Sequence, residues 1–172
     1  MAKLTVNADP HVSYFRNFIF GVEDSLVSTV GLLSGIAVAG LSRATIVITG
    51  AVLILVEAFS MAAGSYLSEY SAESYATHSE TPSRGDFVSS LIMFFSYFVT
   101  GFIPLLPYVF WPSDSALWVS VAFSIAALLL LGVVGAKVAR IHVLKNTLRM
   151  VLVGSLAIAV GMLAGELLSQ MN

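Results

Sequence analysis

Five stretches of this chain are long and apolar enough to cross a bilayer as helices, and that constrains everything else the sequence can build. A crossing takes about 20 consecutive, mostly apolar residues, because a helix rises about 1.5 Å per residue and the hydrocarbon is roughly 30 Å thick. The stretches fall at about residues 18–40, 45–67, 87–110, 116–137 and 148–168. Lipid offers the backbone no hydrogen bonds, so each segment must satisfy its own N–H and C=O groups, which a helix does. The expectation is an all-α integral membrane protein of five transmembrane helices, a single domain over residues 1–172. Only 10% of the residues are charged, against about 25% in a soluble domain that must wet its surface.

The links are short at 41–44 and 111–115. The link at 68–86 is longer and Ser-rich, holds Glu69, Glu73, Glu80 and Asp86, and is broken by Pro82 and Gly85. Trp111 and Trp118 bracket one membrane interface, where indole rings settle. Basic residues are retained on the cytoplasmic side. With the N-terminus inside, Lys3, Arg16, Arg84, Lys137, Arg140, Lys145 and Arg149 share that side and leave Arg43 alone on the other. The N-terminus is therefore expected in the cytoplasm and, after an odd number of spans, the C-terminus outside. Residues 1–17 contain Lys3, Asp9, His11 and Arg16 but no apolar run, so no cleavable signal peptide is expected. A net charge of −2 provides no basic footprint for nucleic acid. The lack of cysteine excludes disulfides, thiolate metal sites and thiol nucleophiles.

Against that background the acids inside the spans stand out. An ionisable group at mid-bilayer costs about 2.5–3.5 kcal/mol on insertion scales, so it needs a reason to be there. The first span carries Glu23 and Asp24, the second Glu57, and the fifth Glu166 near its outer end. Counting inward along each helix places Asp24 roughly 9 Å into the membrane, with Met61 of the descending second helix at a similar depth. Glu57 precedes Met61 by one turn on the same face. Asp24, Met61 and Glu57 are thus expected to form a ladder along one helix–helix seam. Carboxylates with a thioether and no thiolate suit Fe²⁺ or Mn²⁺ better than Ca²⁺ or Mg²⁺. Plainer readings stand beside this one. Glu23 and Glu166 also fit acids solvated by headgroups, and Met61 also fits a packing residue. Glu69 and Glu73, four residues apart, fit either a cation-collecting face beneath the seam or a solvated helix end.

Gly31 with Gly35, Gly161 with Gly165, and Gly50 allow close helix approach. Pro104 and Pro107 should bend the third helix near its outer end. His11, His78 and His142 all lie outside the spans, and neither a nucleophile–base set nor a zinc spacing is visible, so no enzyme is expected.

Three ordered motifs then point to a family. Arg16-x4-Gly21-x2-Asp24-Ser25-Leu26 resembles the first-helix Arg-x4-Gly-x2-Asp-Gly-Leu of the vacuolar iron transporters. Ser60-Met61-Ala62-Ala63-Gly64-Ser65-Tyr66-Leu67-Ser68 is similar to that family's second-helix Ser-Met-x2-Gly-x-Tyr-Leu-Ser. Pro104-Leu105-Leu106-Pro107-Tyr108 matches its third-helix Pro-Leu-Leu-Pro-Tyr. The resemblance implies a five-helix homodimer in the lipid bilayer that moves Fe²⁺ or Mn²⁺ out of the cytoplasm against protons. It makes Asp24 and Met61 the pathway aspartate and methionine. The metal is cargo, and no resident cofactor is expected.

The chain departs from the family pattern in instructive places. Plant members insert a long glutamate-rich helical domain between the second and third spans, reduced here to residues 68–86. That points to a short prokaryotic relative in a cell membrane rather than a vacuolar protein. Some plant relatives carry a glutamate two turns before the methionine, where this chain has Leu53; Glu57, one turn before, is assigned the protonatable role from that shifted position. Ser25 replaces the usual glycine, a small-for-small change. A non-transporting membrane scaffold and a passive cation channel remain the alternative readings.

Overall fold

The computed structural model describes residues 10–78 and 84–170. Lys3, Asp9, Glu80, Pro82 and the C-terminal pair Met171 and Asn172 lie outside the described residues. Five helices follow one another: α1 (Pro10–Val38), α2 (Arg43–Thr77), α3 (Arg84–Phe110), α4 (Ser113–Ala139) and α5 (Val143–Ser169). Among the described residues there is no strand, and all five helices are long and apolar enough to span a membrane.

Each helix is longer than its apolar stretch and begins before it, although α1 stops at Val38, two residues short of the expected end. Hydropathy reads only the part in hydrocarbon, whereas a helix continues into water while its backbone bonds and caps hold. The largest extension is in α2, whose 35 residues reach Thr77, about 52 Å at the helical rise. Ser42 caps its start, accepting from the Thr45 N–H at 3.2 Å. His78 stops it in the left-handed region at φ 54°, its N–H bonded to the Ser74 carbonyl at 2.9 Å. The tight α1–α2 turn passes through Gly40 at φ 77°, a conformation that a Cβ would strain.

The glycines predicted to bring helices together do so. Gly31 and Gly35 of α1 lie against Gly161 and Gly165 of α5, so closely that a Cβ on either α5 glycine would strike an α1 carbonyl oxygen. A Cβ on Gly50 would meet the side chains of Leu105 and Leu33, which seals α2 onto α3 and α1. Despite its two prolines α3 stays one helix from Arg84 to Phe110, and Ser120 of α4 donates to the Pro104 carbonyl at 2.7 Å.

α1 is the central helix, packed on α3, α4 and α5 and more lightly on α2. α3 wedges between α1 and α2, so the two acid-bearing helices share a seam only along part of their length. The interior is apolar at Leu26, Leu33, Ile54 and Leu128. Outward faces are equally apolar, with Val52, Leu55, Val56 and Phe59 of α2 all exposed. That inversion is what a lipid solvent permits.

Candidate metal pathway

Helix register sets the site. Asn17 of α1 donates to Ser65 of α2 at 2.8 Å, which locks the two antiparallel helices in step. Seven residues further up α1 and seven back along α2 bring Asp24 opposite position 58, beside Glu57. The two carboxylates, both half-buried, lie near enough for their charges to act on one another. Met61 does not share Asp24's level; it sits one turn nearer the α1 start, so the expected order of the ladder changes. Counting depth from the span ends misplaced it because α1 and α2 project unequally beyond the apolar stretches.

Met61 lines a separate cavity of about 630 Å³ with Arg16, Asn17, Phe20, Ser65 and Met93, and neither Asp24 nor Glu57 reaches it. The ladder therefore resolves into a carboxylate pair and, one turn away, a thioether facing a mostly apolar space with several polar side chains in its wall. Among the described residues no group of three His, Asp or Glu side chains comes together around one point.

A residue missed from the sequence completes the pair. Tyr97 of α3 is fully buried, and its hydroxyl lies 2.7 Å from the Ser28 hydroxyl, within the electrostatic reach of both Asp24 and Glu57. Ser25 holds the same stretch of α3, donating to the Tyr97 carbonyl at 2.6 Å. In a Phe-rich span one tyrosine looks like more apolar filling. The available signal was its hydroxyl, which needs a partner once buried.

The other acids separate. Glu23 is half-buried next to Asp24 and also within the field of Arg149 on α5. Glu166 is exposed near the end of α5 and accepts from Gln170 at 3.4 Å, in keeping with a solvated interfacial acid. Glu73 is exposed. Glu69 turns inward, its side chain 12% exposed and paired with Arg16 at 2.8 Å. Its Oε1 also accepts from Ser13 at 2.5 Å, Asn17 at 2.8 Å and Ser89 at 2.9 Å. Asn17, itself buried, bonds to Ser89 as well. Arg16, read from the sequence as a cytoplasmic charge and as the first residue of the first-helix motif, proves to be the counterion of Glu69.

The fold defines a five-span membrane protein with half-buried acids on its first two helices. The VIT family model matches residues 15–84 and 76–166, stretches that reach into all five helices, and the chain belongs to that family, the vacuolar iron transporters. It is an integral multi-pass membrane protein, and its family is one of metal-ion transport across membranes. Among curated proteins none matches the chain.

Proposed function

We propose that this protein exports Fe²⁺ or Mn²⁺ from the cytoplasm in exchange for protons, working as a homodimer in a prokaryotic cell membrane. The half-buried Asp24 of α1 and Glu57 of α2, brought to one level by the Asn17–Ser65 register, carry the proposal. Two acids in an apolar zone repel each other and forgo water, a cost that a divalent cation or a shared proton removes. Metal binding requires deprotonated oxygens, so cation and proton compete for the same atoms, and that competition couples the two fluxes. Met61 adds a soft donor that favours Fe²⁺ and Mn²⁺ over Ca²⁺ and Mg²⁺. Glu73, exposed on the α2 extension, is the acid that gathers cations at the cytoplasmic end.

Three further observations support the details. Arg16, Arg84, Lys137, Arg140, Lys145 and Arg149 cluster where α1, α3 and α5 begin and α4 ends, which favours a cytoplasmic N-terminus and an external C-terminus. The outward face of α2 is broad and apolar, and Asp24 and Glu57 are only half-buried beside it. A second copy packed along this face would double the donors around one ion. The brief connection from His78 to Arg84 leaves no room for the plant family's cytoplasmic domain, which favours the prokaryotic membrane.

The test is Mn²⁺ flux into proteoliposomes with an imposed pH gradient. Flux that follows the gradient and disappears in Asp24→Asn is expected. Flux indifferent to the gradient removes the antiport claim and leaves a passive channel, while full flux in Asp24→Asn removes Asp24 from the pathway. A chain that moves no metal under any gradient, yet folds, is the scaffold of the alternative reading.

A further inference from the structure

The inward-turned Glu69 is not accounted for by a role in gathering cations. A collecting acid should present its oxygens to water, whereas Glu69 Oε1 accepts from four side chains on two other helices. Ser13, Arg16 and Asn17 come from α1 and Ser89 from α3, so a single atom ties the α2 extension to both neighbours. Beyond Leu67 that extension is mostly exposed, and Ser71, Ala72, Glu73 and Tyr75 all face away from the bundle. Glu69 is its inward anchor.

The position of this anchor matters. Arg16 and Asn17, two of the groups that hold Glu69, also line the cavity that Met61 faces, as do Ser65 and Ser68 just before Glu69. The knot of bonds therefore stands at the end of the cavity nearest the α1 start. Any movement of the α2 extension away from α1 breaks these bonds and opens that end.

All four of these bonds converge on Oε1, and 12% of the Glu69 side chain stays exposed. A divalent cation arriving from solvent can reach the carboxylate there. Ligation draws charge away from the Arg16 pair, and the hydroxyl and amide bonds, each worth only about 0.5–1.5 kcal/mol net, do not hold α2 alone.

We propose that Glu69, held by Arg16, Asn17, Ser13 and Ser89, is a latch that shuts the cytoplasmic end of the Met61 cavity and that a divalent cation releases. The proposal rests on the transport reading for its purpose, but the latch is a movement of α2 that can be measured without any flux.

The chain has no cysteine, so two introduced thiols can be labelled cleanly. Val12→Cys on α1 and Ala72→Cys on α2 are both exposed, and neither is part of the knot. The experiment is the distance distribution between nitroxides at these sites by pulsed electron paramagnetic resonance, with diamagnetic Zn²⁺ as the probe. The unsubstituted latch should give one narrow distance, and saturating Zn²⁺ should lengthen and broaden it by several ångströms. Glu69→Gln, which keeps the volume, and Arg16→Gln, which alters only the exposed partner, should each give the longer distance without Zn²⁺, and Zn²⁺ should add nothing in Glu69→Gln. Should either variant fail to fold, the other carries the test. Variants that keep the wild-type distance, or a wild-type distance that Zn²⁺ leaves unaltered, overturn the latch. Because no transport is measured, loss of the latch leaves the exporter reading standing, and full flux in Asp24→Asn leaves the latch standing.

Discussion

Gly35 on α1 and Gly161 on α5 pass so closely that a Cβ added to Gly35 would lie 2.6 Å from the Gly161 carbonyl oxygen. The obstacle is backbone, which cannot swing aside as a side-chain tip can. Gly161→Ala and Gly35→Ala should therefore push α1 and α5 apart and cost at least the usual 1–3 kcal/mol or so of overpacking. Thermal unfolding in detergent, followed by size-exclusion fluorescence, reads the loss. Gly64→Ala is the control, since nothing lies within 4 Å of a Cβ there. A Gly161→Ala protein as stable as Gly64→Ala would mean that the α1–α5 contact is looser than described.

Glu57 offers the sharpest functional test, because no family motif places an acid at its position. Glu57→Gln keeps shape and removes charge, while Leu53→Glu restores an acid one turn earlier, where some relatives carry it. Loss of a metal-site ligand should reduce metal affinity by about tenfold or more, the scale on which even supporting groups of such sites act. The expected outcome is weak Mn²⁺ flux in Glu57→Gln and partial recovery in the double variant. Unaltered flux in the single variant excludes Glu57 from the pathway.

Tyr97 bears on how the carboxylate pair is held. Tyr97→Phe removes one hydroxyl and leaves the ring, so the lost bond to Ser28 should cost about 1 kcal/mol of stability. Ser28→Ala cuts the same bond from the other side, and the double variant should cost little more than either single one. If the hydroxyl also orients Asp24 and Glu57, Tyr97→Phe lowers Mn²⁺ affinity while Ser28→Ala, with the phenol still present, lowers it less. Equal affinities in all three proteins would confine the pair to packing.

Much of this was legible in the residues, and the physical reasons for what was not are specific. The five spans follow from hydropathy because lipid demands it. Asp24 and Glu57 stand out because acids in hydrocarbon are costly, and Gly31, Gly35, Gly161 and Gly165 announce close contact, though not with whom. Helix ends were set short because a helix does not stop where hydrocarbon stops; α2 continues to Thr77 on backbone bonds and its cap. That same extension shifted the inferred depth of Met61 by a turn. Glu69 lay beyond sequence reasoning for another reason. Its partners lie 20 to 56 residues away on two other helices, and only the packed bundle brings them together.

Met61 separates selectivity from stability. The side chain is half-buried against a cavity rather than locked in the core. Met61→Leu preserves volume and apolar character, so its stability cost should stay below about 1.5 kcal/mol. What it removes is the only sulfur on α2 near the carboxylate pair. A thioether contributes to Fe²⁺ and Mn²⁺ but scarcely to Ca²⁺ or Mg²⁺, which prefer oxygen alone. The variant should therefore lose Mn²⁺ flux while Mg²⁺ competes against Mn²⁺ more effectively than in the wild type, measured as the inhibition of Mn²⁺ uptake by a fixed excess of Mg²⁺. An unaltered ratio with normal folding would return Met61 to the role of a packing residue and leave selectivity to the carboxylates.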